Sequence, residues 1–318
     1  MPNLNVAITG SLDYAKNIGK KGTTSDITFY NLKKGEDTVT IIEPTRYPER
    51  IQPLYYAVSM ADVAIVIVDA VTPEFGETVV MLDCAKVTGG YIILRNYLDK
   101  SQIAPLIKGT VLEGYEYIED DPNMLREKLL EAAANKPREV NDVPGIVAVD
   151  HFFNVRGIGT VILGCVINGT IRTHDNLKAL PTTKTTQVRS IQRHDTDCND
   201  AAKGDRVGLG LKNITFEELD RGYVLTANTA IKQSDRFTAK LNIVRYWQTP
   251  ITENMVIHLG HWMQYVSGKI ESVSGDPKNP EIVISVDKEV IFMPNDRAII
   301  FHLDAGKLRV VGTLELNI

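Results

Sequence analysis

The hydrophobic and polar positions divide the chain into regions with two different patterns. From the start to about residue 137, continuous apolar runs such as "NVAIT" and "DVAIVIVDA" alternate with stretches of helical period. Continuous apolar runs are typical of strands that are buried on both faces of a parallel sheet. This region therefore predicts a doubly wound α/β unit, in which helices cover a central sheet.

Two helices of this unit have clear sequence signals. The stretch "ETVVMLDCAKVTG" predicts an amphipathic helix that is ended by Gly89 and Gly90, and the strand "YIILRN" follows it. A later helix is predicted in "DDPNMLREKLLEAAANKP", with Asp121 as the N-cap and Pro122 at the first helical position. Its predicted apolar stripe contains Met124, Leu125, Leu129 and Ala132.

After about residue 144 the pattern changes to short β-branched strands that are separated by Gly and Asp turns. Segments such as "GTVILGCVING" and "TTQVRSIQRH" predict a small β-barrel. From about residue 236 the pattern repeats and predicts a second barrel, in which "SGDPKNP" is a loop. We therefore expect three domains, at residues 1–140, 141–234 and 235–318.

Composition narrows the class of protein. The chain has 318 residues, of which 43% are hydrophobic and 24% charged, as in ordinary globular proteins. No apolar run approaches the ~18–20 residues of a membrane span, and the three cysteines show no metal-binding spacing. We expect a cytoplasmic protein with reduced thiols and no membrane partner. The net charge of −5 gives no support for DNA binding. A net negative charge is still compatible with a local basic face.

The octapeptide "GSLDYAKN" follows the first apolar run, in the position of a phosphate-binding P-loop. Gly10 and Lys16 match the first Gly and the Lys of the pattern G-x-x-x-x-G-K-[ST], whereas Ala15 and Asn17 replace the second Gly and the Ser/Thr. A working P-loop holds phosphates with backbone amides and its Lys. From these residues alone, Lys16 is either a phosphate ligand or an ordinary surface lysine.

The barrel segments carry a resemblance to a known family. "VRGIGTVILGCVINGTIRTHDNLKALP" and "GDRVGLGLK" resemble the first barrel of the elongation factor Tu class of translational GTPases. The segment "VRSIQ" and the short first domain are most similar to the selenocysteine-specific branch. The fourth domain of that branch has no counterpart in this sequence. The resemblance covers essentially the whole chain. It implies a shortened GTP-binding α/β domain of the P-loop type, two β-barrels and a role in protein biosynthesis.

The resemblance also implies positions for a guanine nucleotide. The residues that match the family's nucleotide motifs are Gly10, Asp13, Lys16, Thr24, Asn96 and Asp99. In "EPTRY", however, Glu43, Arg46 and Tyr47 replace the family's Asp, Gly and His, and the acidic "YIEDD" lies near the base site. Only "IGK" separates Asn17 from Lys21, which is too short for the family's next helix at ~1.5 Å per residue.

These substitutions predict that GTP hydrolysis and tight GTP binding are lost. No catalytic residue is assigned, and GTP and Mg²⁺ are expected as cofactors only if the altered site still functions. Our first hypothesis is a non-hydrolysing, elongation factor-like protein that binds aminoacyl-tRNA, the ribosome or another translation factor. The alternative is a divergent translational GTPase that still binds GTP, so enzyme activity stays open.

Other residues were candidates for contacts. Arg189, Arg193 and His194 flank one strand of the barrel that helps the family hold the aminoacyl end of tRNA, so they either contact RNA or a partner or form a solvated strand edge. His258 and His261 lie three apart in a strand and face opposite sides, so no metal site is predicted. An aromatic group in the last barrel is either core and inter-domain contact or a platform for an RNA base; it contains Tyr246, Trp247, Trp262 and Tyr265.

Overall fold

The structure has the predicted fold class, an α/β unit followed by two all-β barrels. It is a computed structural model and describes residues 3–317. Among the helices of residues 3–317, none combines the length and the hydropathy of a membrane-spanning helix. The sequence-based domain boundaries stay predictions; the strand Lys232–Lys240 runs across the second of them.

The N-terminal unit is built on a seven-stranded sheet. Its strands are β1 (Asn3–Thr9), β2 (Lys20–Thr24), β3 (Thr28–Lys34), β4 (Asp37–Glu43), β5 (Val63–Val68), β6 (Gly89–Leu94) and β7 (Glu116–Ile118), in the order β2-β3-β4-β1-β5-β6-β7. Its helices are α1 (Gln52–Ser59), α2 (Pro73–Ala85), α3 (Lys100–Ile107) and α4 (Pro122–Asn135). Strands β4, β1, β5, β6 and β7 are parallel, and every residue of β1 is buried, as the run "NVAIT" predicted.

Helix α2 ends earlier than the sequence indicated. Its last turn is closed by Lys86 in the left-handed conformation, with the Val87 N–H donating to the Leu82 carbonyl. The prediction that Gly89 and Gly90 end this helix was wrong, because both residues belong to β6. Gly90 is needed there for packing, since a Cβ atom would lie 2.2 Å from the Tyr115 ring.

Helix α4 begins as predicted, with the Asp121 carboxylate accepting hydrogen bonds from the backbone N–H groups of Asn123 and Met124. The buried stripe is shifted by about one position from the predicted one and contains Leu125, Leu129, Leu130 and Ala133. Met124 and Ala132 are only half-buried because they lie at the margins of the face that packs on the sheet.

The chain after β1 forms only a short 3-10 helix, Tyr14–Asn17, before it enters β2. The predicted absence of a longer helix after Asn17 is therefore confirmed. Arg126 of α4 donates to the carbonyl groups of Asn17 and Ile18 and fixes the end of this turn.

The first barrel closes through pairing of its fourth and fifth strands. Its strands are β8 (Ile146–Val155), β9 (Gly159–Asn168), β10 (Thr170–Arg172), β11 (Asn176–Leu180), β12 (Lys184–Arg193), β13 (Thr196–Cys198), β14 (Asp200–Ala202), β15 (Arg206–Lys212) and β16 (Val224–Thr226). Seven of them form one antiparallel sheet in the order β11-β16-β8-β9-β15-β12-β13, and β11 also pairs with β12. This closure leaves few free strand edges.

The second barrel is a seven-stranded antiparallel sheet in the order β17-β21-β20-β19-β22-β23-β18. Its strands are β17 (Lys232–Lys240), β18 (Asn242–Ile243), β19 (Val256–His261), β20 (Gln264–Ser274), β21 (Glu281–Phe292), β22 (Asp296–Phe301) and β23 (Val310–Leu316). The predicted loop "SGDPKNP" joins β20 to β21.

One hydrophobic core joins all three parts of the molecule. It includes Phe29 and Tyr55 from the α/β unit, Ala148 from the first barrel, and Met263 and Phe301 from the second. Tyr55 is only 2% exposed, and its hydroxyl donates to the Trp262 carbonyl at 2.8 Å. Helix α1 is therefore anchored on the second barrel by an aromatic side chain with a satisfied polar end.

A buried ion pair reinforces the same interface. Glu77 of α2 is 2% exposed, and its carboxylate accepts from the Arg309 side chain at 2.6 and 3.1 Å and from the Arg309 backbone N–H at 2.8 Å. Burial disfavours the charged guanidinium, but its hydrogen bonds to the Glu77 carboxylate outweigh this effect and raise the pKa of Arg309.

Removal of one member of this pair should destabilise the protein strongly. Arg309→Met leaves the Glu77 carboxylate buried without its partner, at a cost of roughly 3 kcal/mol in the free energy of unfolding. The double variant Glu77→Gln/Arg309→Met should recover most of the loss. Arg236→Met breaks an exposed pair with Glu271 and should leave the urea midpoint nearly unchanged. Equal midpoints for Arg309→Met and Arg236→Met would contradict this account.

Candidate functional site

The loop that resembles a P-loop keeps the backbone geometry that its glycine requires. Gly10 has a φ of +90°, and a Cβ atom would lie 1.8 Å from the Ile67 carbonyl oxygen, so no other residue fits. Lys16 lies further along the turn, on the 3-10 helix, and is exposed. Gly10 lines the cavity beneath the loop, whereas Lys16 does not.

This cavity has a volume of ≈ 240 Å³ and lies between the loop, residues 43–48 and residues 66–78. That volume is below the roughly 300–1,000 Å³ of ordinary ligand pockets. Its charged lining residues are Glu43, Asp69 and Glu74, and no Lys or Arg lines it. An acidic lining without a cation disfavours a nucleotide phosphate, so the residues that line this cavity do not fit the phosphates of GTP, although carboxylates are ordinary ligands of Mg²⁺.

Glu43 lies directly beneath the loop and is 2% exposed. Its carboxyl oxygens accept from the Ala15 backbone N–H at 3.4 Å and from the Tyr30 hydroxyl at 3.3 Å. Burial raises the pKa of Glu43, and hydrogen bonds from the backbone N–H groups of Ala15 and Asp13 only partly offset this effect. A side chain of the protein itself therefore accepts hydrogen bonds from backbone N–H groups of the loop.

Arg95 connects the loop to the region expected to hold the base. Its guanidinium donates to Asp120 at 2.7 Å and to the Ser11 hydroxyl at 3.3 Å, and it lies 3.6 Å from Asp69. The Tyr14 hydroxyl donates to the other Asp120 oxygen at 2.8 Å. Burial disfavours the charged form of Asp120, but the bonds from Arg95 and Tyr14 outweigh it and lower the pKa of Asp120.

The other residues that match the family's nucleotide motifs lie apart from one another and have different structural roles. Thr24 is exposed on the edge strand β2 and pairs with Thr28. Asn96 donates to the Asp69 carbonyl at 3.1 Å, and Asp99 caps α3 by accepting from the Ser101 N–H. Gly10 alone of the six lines the cavity, and Asp13 does not. Their roles in nucleotide binding stay predictions.

Tyr47, which replaces the family's His, is engaged in contacts within the chain. The Tyr47 hydroxyl donates to the Glu74 carbonyl at 2.9 Å, and the Arg309 guanidinium lies 5.8 Å from the centre of its ring. Burial raises the pKa of the Tyr47 hydroxyl, so it stays protonated at neutral pH.

Arg189, Arg193 and His194 do not form one exposed cluster. Arg189 is exposed and donates to the Ile158 carbonyl at 3.0 Å. Arg193 is buried and pairs with Asp205 at 3.1 Å, so a direct contact with RNA from this side chain is not compatible with the structure. His194 faces the α/β unit, where its Nε2 lies 2.8 Å from Asn3 Oδ1.

His194 belongs to a larger feature, a cleft of ≈ 950 Å³ between β2 and β3 and the first barrel. We call it the cationic cleft, because one acidic residue, Asp195, lines it together with five cationic ones. These are Lys20, Lys21, Lys33, Arg126 and Arg206. Sequence reasoning missed them because they come from distant segments, although the "KK" pair at residues 20 and 21 was a visible signal.

Two side chains in the cationic cleft have nitrogen atoms without a hydrogen-bond partner among the described residues. They are Nδ1 of His194 and Nε of Arg206. The Arg206 guanidinium lies 3.6 Å from the centre of the Phe29 ring and donates to Asp150 at 2.7 Å. Burial, together with the charges of Arg206 and Lys33, lowers the pKa of His194 to about 4, so it is neutral at pH 7.

The aromatic and histidine residues of the last barrel serve packing. Tyr265 contacts Tyr55, Tyr56 and Phe301, and Trp262 packs against the core shared by the three parts. Trp247 packs on the core of the second barrel instead, so the predicted aromatic residues do not form one platform. His258 stacks on Tyr265, whereas His261 lies 3.1 Å from Asp296.

Comparison with known proteins identifies relatives. The family model described as elongation factor Tu domain 2 matches residues 159–226. An uncharacterized protein of Methanocaldococcus jannaschii is 39% identical over 99% of this chain and 100% of its own length. The selenocysteine-specific elongation factor of the same organism is 25% identical over 96% of this chain and 74% of its length. The apo crystal structure of elongation factor SelB from Methanococcus maripaludis superimposes with a TM-score of 0.81 and 22% identity, over 99% of this chain and 79% of that one.

The buried Glu43 carboxyl predicts a pH-dependent effect on stability. Because its pKa is raised above the ordinary value of 4.5, the folded state favours the protonated form, and this contribution is lost as pH rises above that value. Glu43→Gln should therefore raise the unfolding temperature more at pH 8 than at pH 4. The exposed control Glu36→Gln should show no such difference. An effect of Glu43→Gln that is equal at both pH values would contradict the assignment.

Proposed function

Because the chain belongs to the elongation factor Tu class of translational GTPases, close to its selenocysteine-specific branch, we propose that it binds RNA without hydrolysing GTP. In this proposal it acts in the cytoplasm as a translation-factor-like protein. The cationic cleft holds the acceptor end of an aminoacyl-tRNA, and the α/β unit serves as a fixed support for the cleft.

The observation that carries the proposal is the charge of the cationic cleft. Five cationic side chains and one acidic one line it, although the whole chain has a net charge of −5. Lys20 and Lys21 are exposed on the edge strand β2, where their ammonium groups are accessible to a phosphate backbone. Concentration of positive charge in one cleft of an acidic protein favours an anionic, extended ligand such as the end of an RNA strand.

The cationic cleft also offers groups that suit a single-stranded end. Phe153 lines it and is 37% exposed, which leaves a ring face on which a base would stack. His194 Nε2 lies 2.8 Å from the side-chain oxygen of Asn3 and donates to it. The two unpartnered atoms, His194 Nδ1 and Arg206 Nε, are buried and not open to a ligand.

The cavity beneath the loop after β1 supports the proposed loss of GTP hydrolysis. The Glu43 carboxyl accepts a hydrogen bond from a backbone N–H of the loop, and the Tyr47 hydroxyl donates to the Glu74 carbonyl. The charged residues that line the small cavity are all acidic. Phosphoryl transfer needs a phosphate cradle, a metal and an oriented water at one place. Thr24, the residue that matches the family's metal-binding threonine, lies instead on the edge strand of the sheet.

Charge reversal in the cationic cleft tests RNA binding. Filter binding with aminoacylated total tRNA should show at least a tenfold loss of affinity for Lys20→Glu/Lys21→Glu. The slope of log K against log salt concentration should fall by roughly 0.7 for each lysine that neutralises a single-strand phosphate.

The matched control is Lys232→Glu/Lys240→Glu, which makes the same charge change on another exposed edge strand, β17. This control should bind tRNA as the parent protein does. Equal losses in both variants would indicate a nonspecific charge effect, and absence of tRNA binding by the parent protein would overturn the proposal. Ribosome-stimulated release of phosphate from GTP would support the alternative, a divergent GTPase.

A further inference from the structure

We propose that the carboxyl edge of the N-terminal sheet is a docking surface for a basic protein segment with an apolar anchor. We call this surface the acidic edge. It consists of four loops, residues 10–13, 69–72, 95–99 and 119–121, which follow β1, β5, β6 and β7. These strands are parallel neighbours, so their carboxyl ends and the following loops lie along one edge. No residue of these loops lines the cationic cleft, so the two sites are independent.

The four loops are held together as one surface. Arg95 of the third loop contacts each of the others, through Ser11, Asp69 and Asp120. A further hydrogen bond joins the Asn96 side chain to the Asp69 carbonyl at 3.1 Å. A partner would therefore meet preformed loops, which lowers the entropy cost of binding.

Three of the loops each expose one apolar or aromatic side chain. These are Leu12, Val71 and Tyr97, which are 60%, 45% and 105% exposed. Exposed apolar groups on adjoining loops offer contact area to a partner. Tyrosine in particular supplies a large contact area at a low entropy cost and is enriched among the residues that dominate binding energy.

The charge of the acidic edge determines the kind of partner. Its loops carry six carboxylates, from Asp13, Asp69, Asp99, Glu119, Asp120 and Asp121. The single cation, Arg95, is engaged with Asp69 and Asp120 inside the surface. Lys100, which follows the third loop, lies 4.3 Å from the centre of the Tyr117 ring. Such a surface repels nucleic acid and attracts lysine and arginine side chains.

These observations together specify the occupant. A protein segment with basic side chains would pair with the carboxylates, and an apolar side chain between them would pack on Tyr97 and its neighbours. RNA lacks the first property, because its phosphates would face the six carboxylates. The same edge in this chain is therefore suited to a protein, not to a nucleotide.

Fluorescence anisotropy with a defined peptide tests the proposal. The probe is a short labelled peptide with one Phe between two groups of Lys, and its comparison peptides replace Lys by Glu or Phe by Ala. The Lys peptide should bind the full chain, with affinity that falls as salt rises, and the Glu peptide should not bind. Tyr97→Ala should weaken binding about tenfold. Asp13→Lys/Glu119→Lys should weaken it further and flatten the salt dependence.

Two controls separate the acidic edge from other surfaces and from misfolding. Tyr246→Ala removes another exposed tyrosine, on the segment after β18, and should leave peptide affinity unchanged. The Tyr97 side chain is fully exposed, so Tyr97→Ala should unfold at the same temperature as the parent protein. The proposal is overturned if the Lys peptide fails to bind at millimolar concentration, if Tyr97→Ala binds it equally well, or if oligouridine displaces it.

Discussion

The packing of α1 against the second barrel joins the α/β unit to that barrel, within a hydrophobic core that also includes Ala148 of the first barrel. Tyr55 fills a space that Gly260 leaves open, where a Cβ atom would lie 2.7 Å from its ring, and its hydroxyl is satisfied by Trp262. The buried pair of Glu77 and Arg309 adds a charged contact at the same interface. In proteins of several domains, an interface that is large and apolar limits relative motion. Direct contacts such as His194 Nε2 with Asn3 Oδ1 and Lys33 with Thr196 hold the α/β unit beside the first barrel, and the cationic cleft lies between these two parts.

A second constraint acts inside the α/β unit. The loop after β1 keeps its obligatory glycine, yet its amides are used by Glu43 and its side chains by Arg95 and Asp120. The loop is thus stabilised by contacts within the chain. Such internal contacts compete directly with any bound phosphate, because a backbone N–H donates to one acceptor at a time. The loop after β1, like the arrangement of the domains, is therefore held by contacts within the chain.

Much of the fold could be predicted from the sequence, because buried positions produce a recognisable pattern of apolar residues. The unbroken apolar run of β1, the cap at Asp121 and the alternating strands of the barrels each had a local signal. The end of α2 was missed because Lys86, not a glycine, adopts the left-handed conformation. Because the left-handed residue that ends a helix is usually Gly or Asn, the sequence did not indicate a lysine there.

The candidate sites were less predictable, because they depend on residues that are distant in sequence. The altered loop motifs were visible, but only the structure shows that Glu43 lies under the loop and that Arg193 is buried. The cationic cleft combines residues from β2, β3, α4 and the first barrel, and no local pattern connects them. The acidic edge likewise depends on the parallel order of four strands, which places their loops side by side.

The proposed loss of nucleotide binding rests on the contacts that the loop after β1 makes within the chain. Calorimetric titration of the protein with GTP and GDP in the presence of Mg²⁺ tests it most directly. The account predicts no binding heat up to about 1 mM nucleotide, a limit that corresponds to about 4 kcal/mol of binding free energy. Micromolar affinity for either nucleotide would contradict it, because the Glu43 carboxylate and the phosphate cannot share the same loop amides.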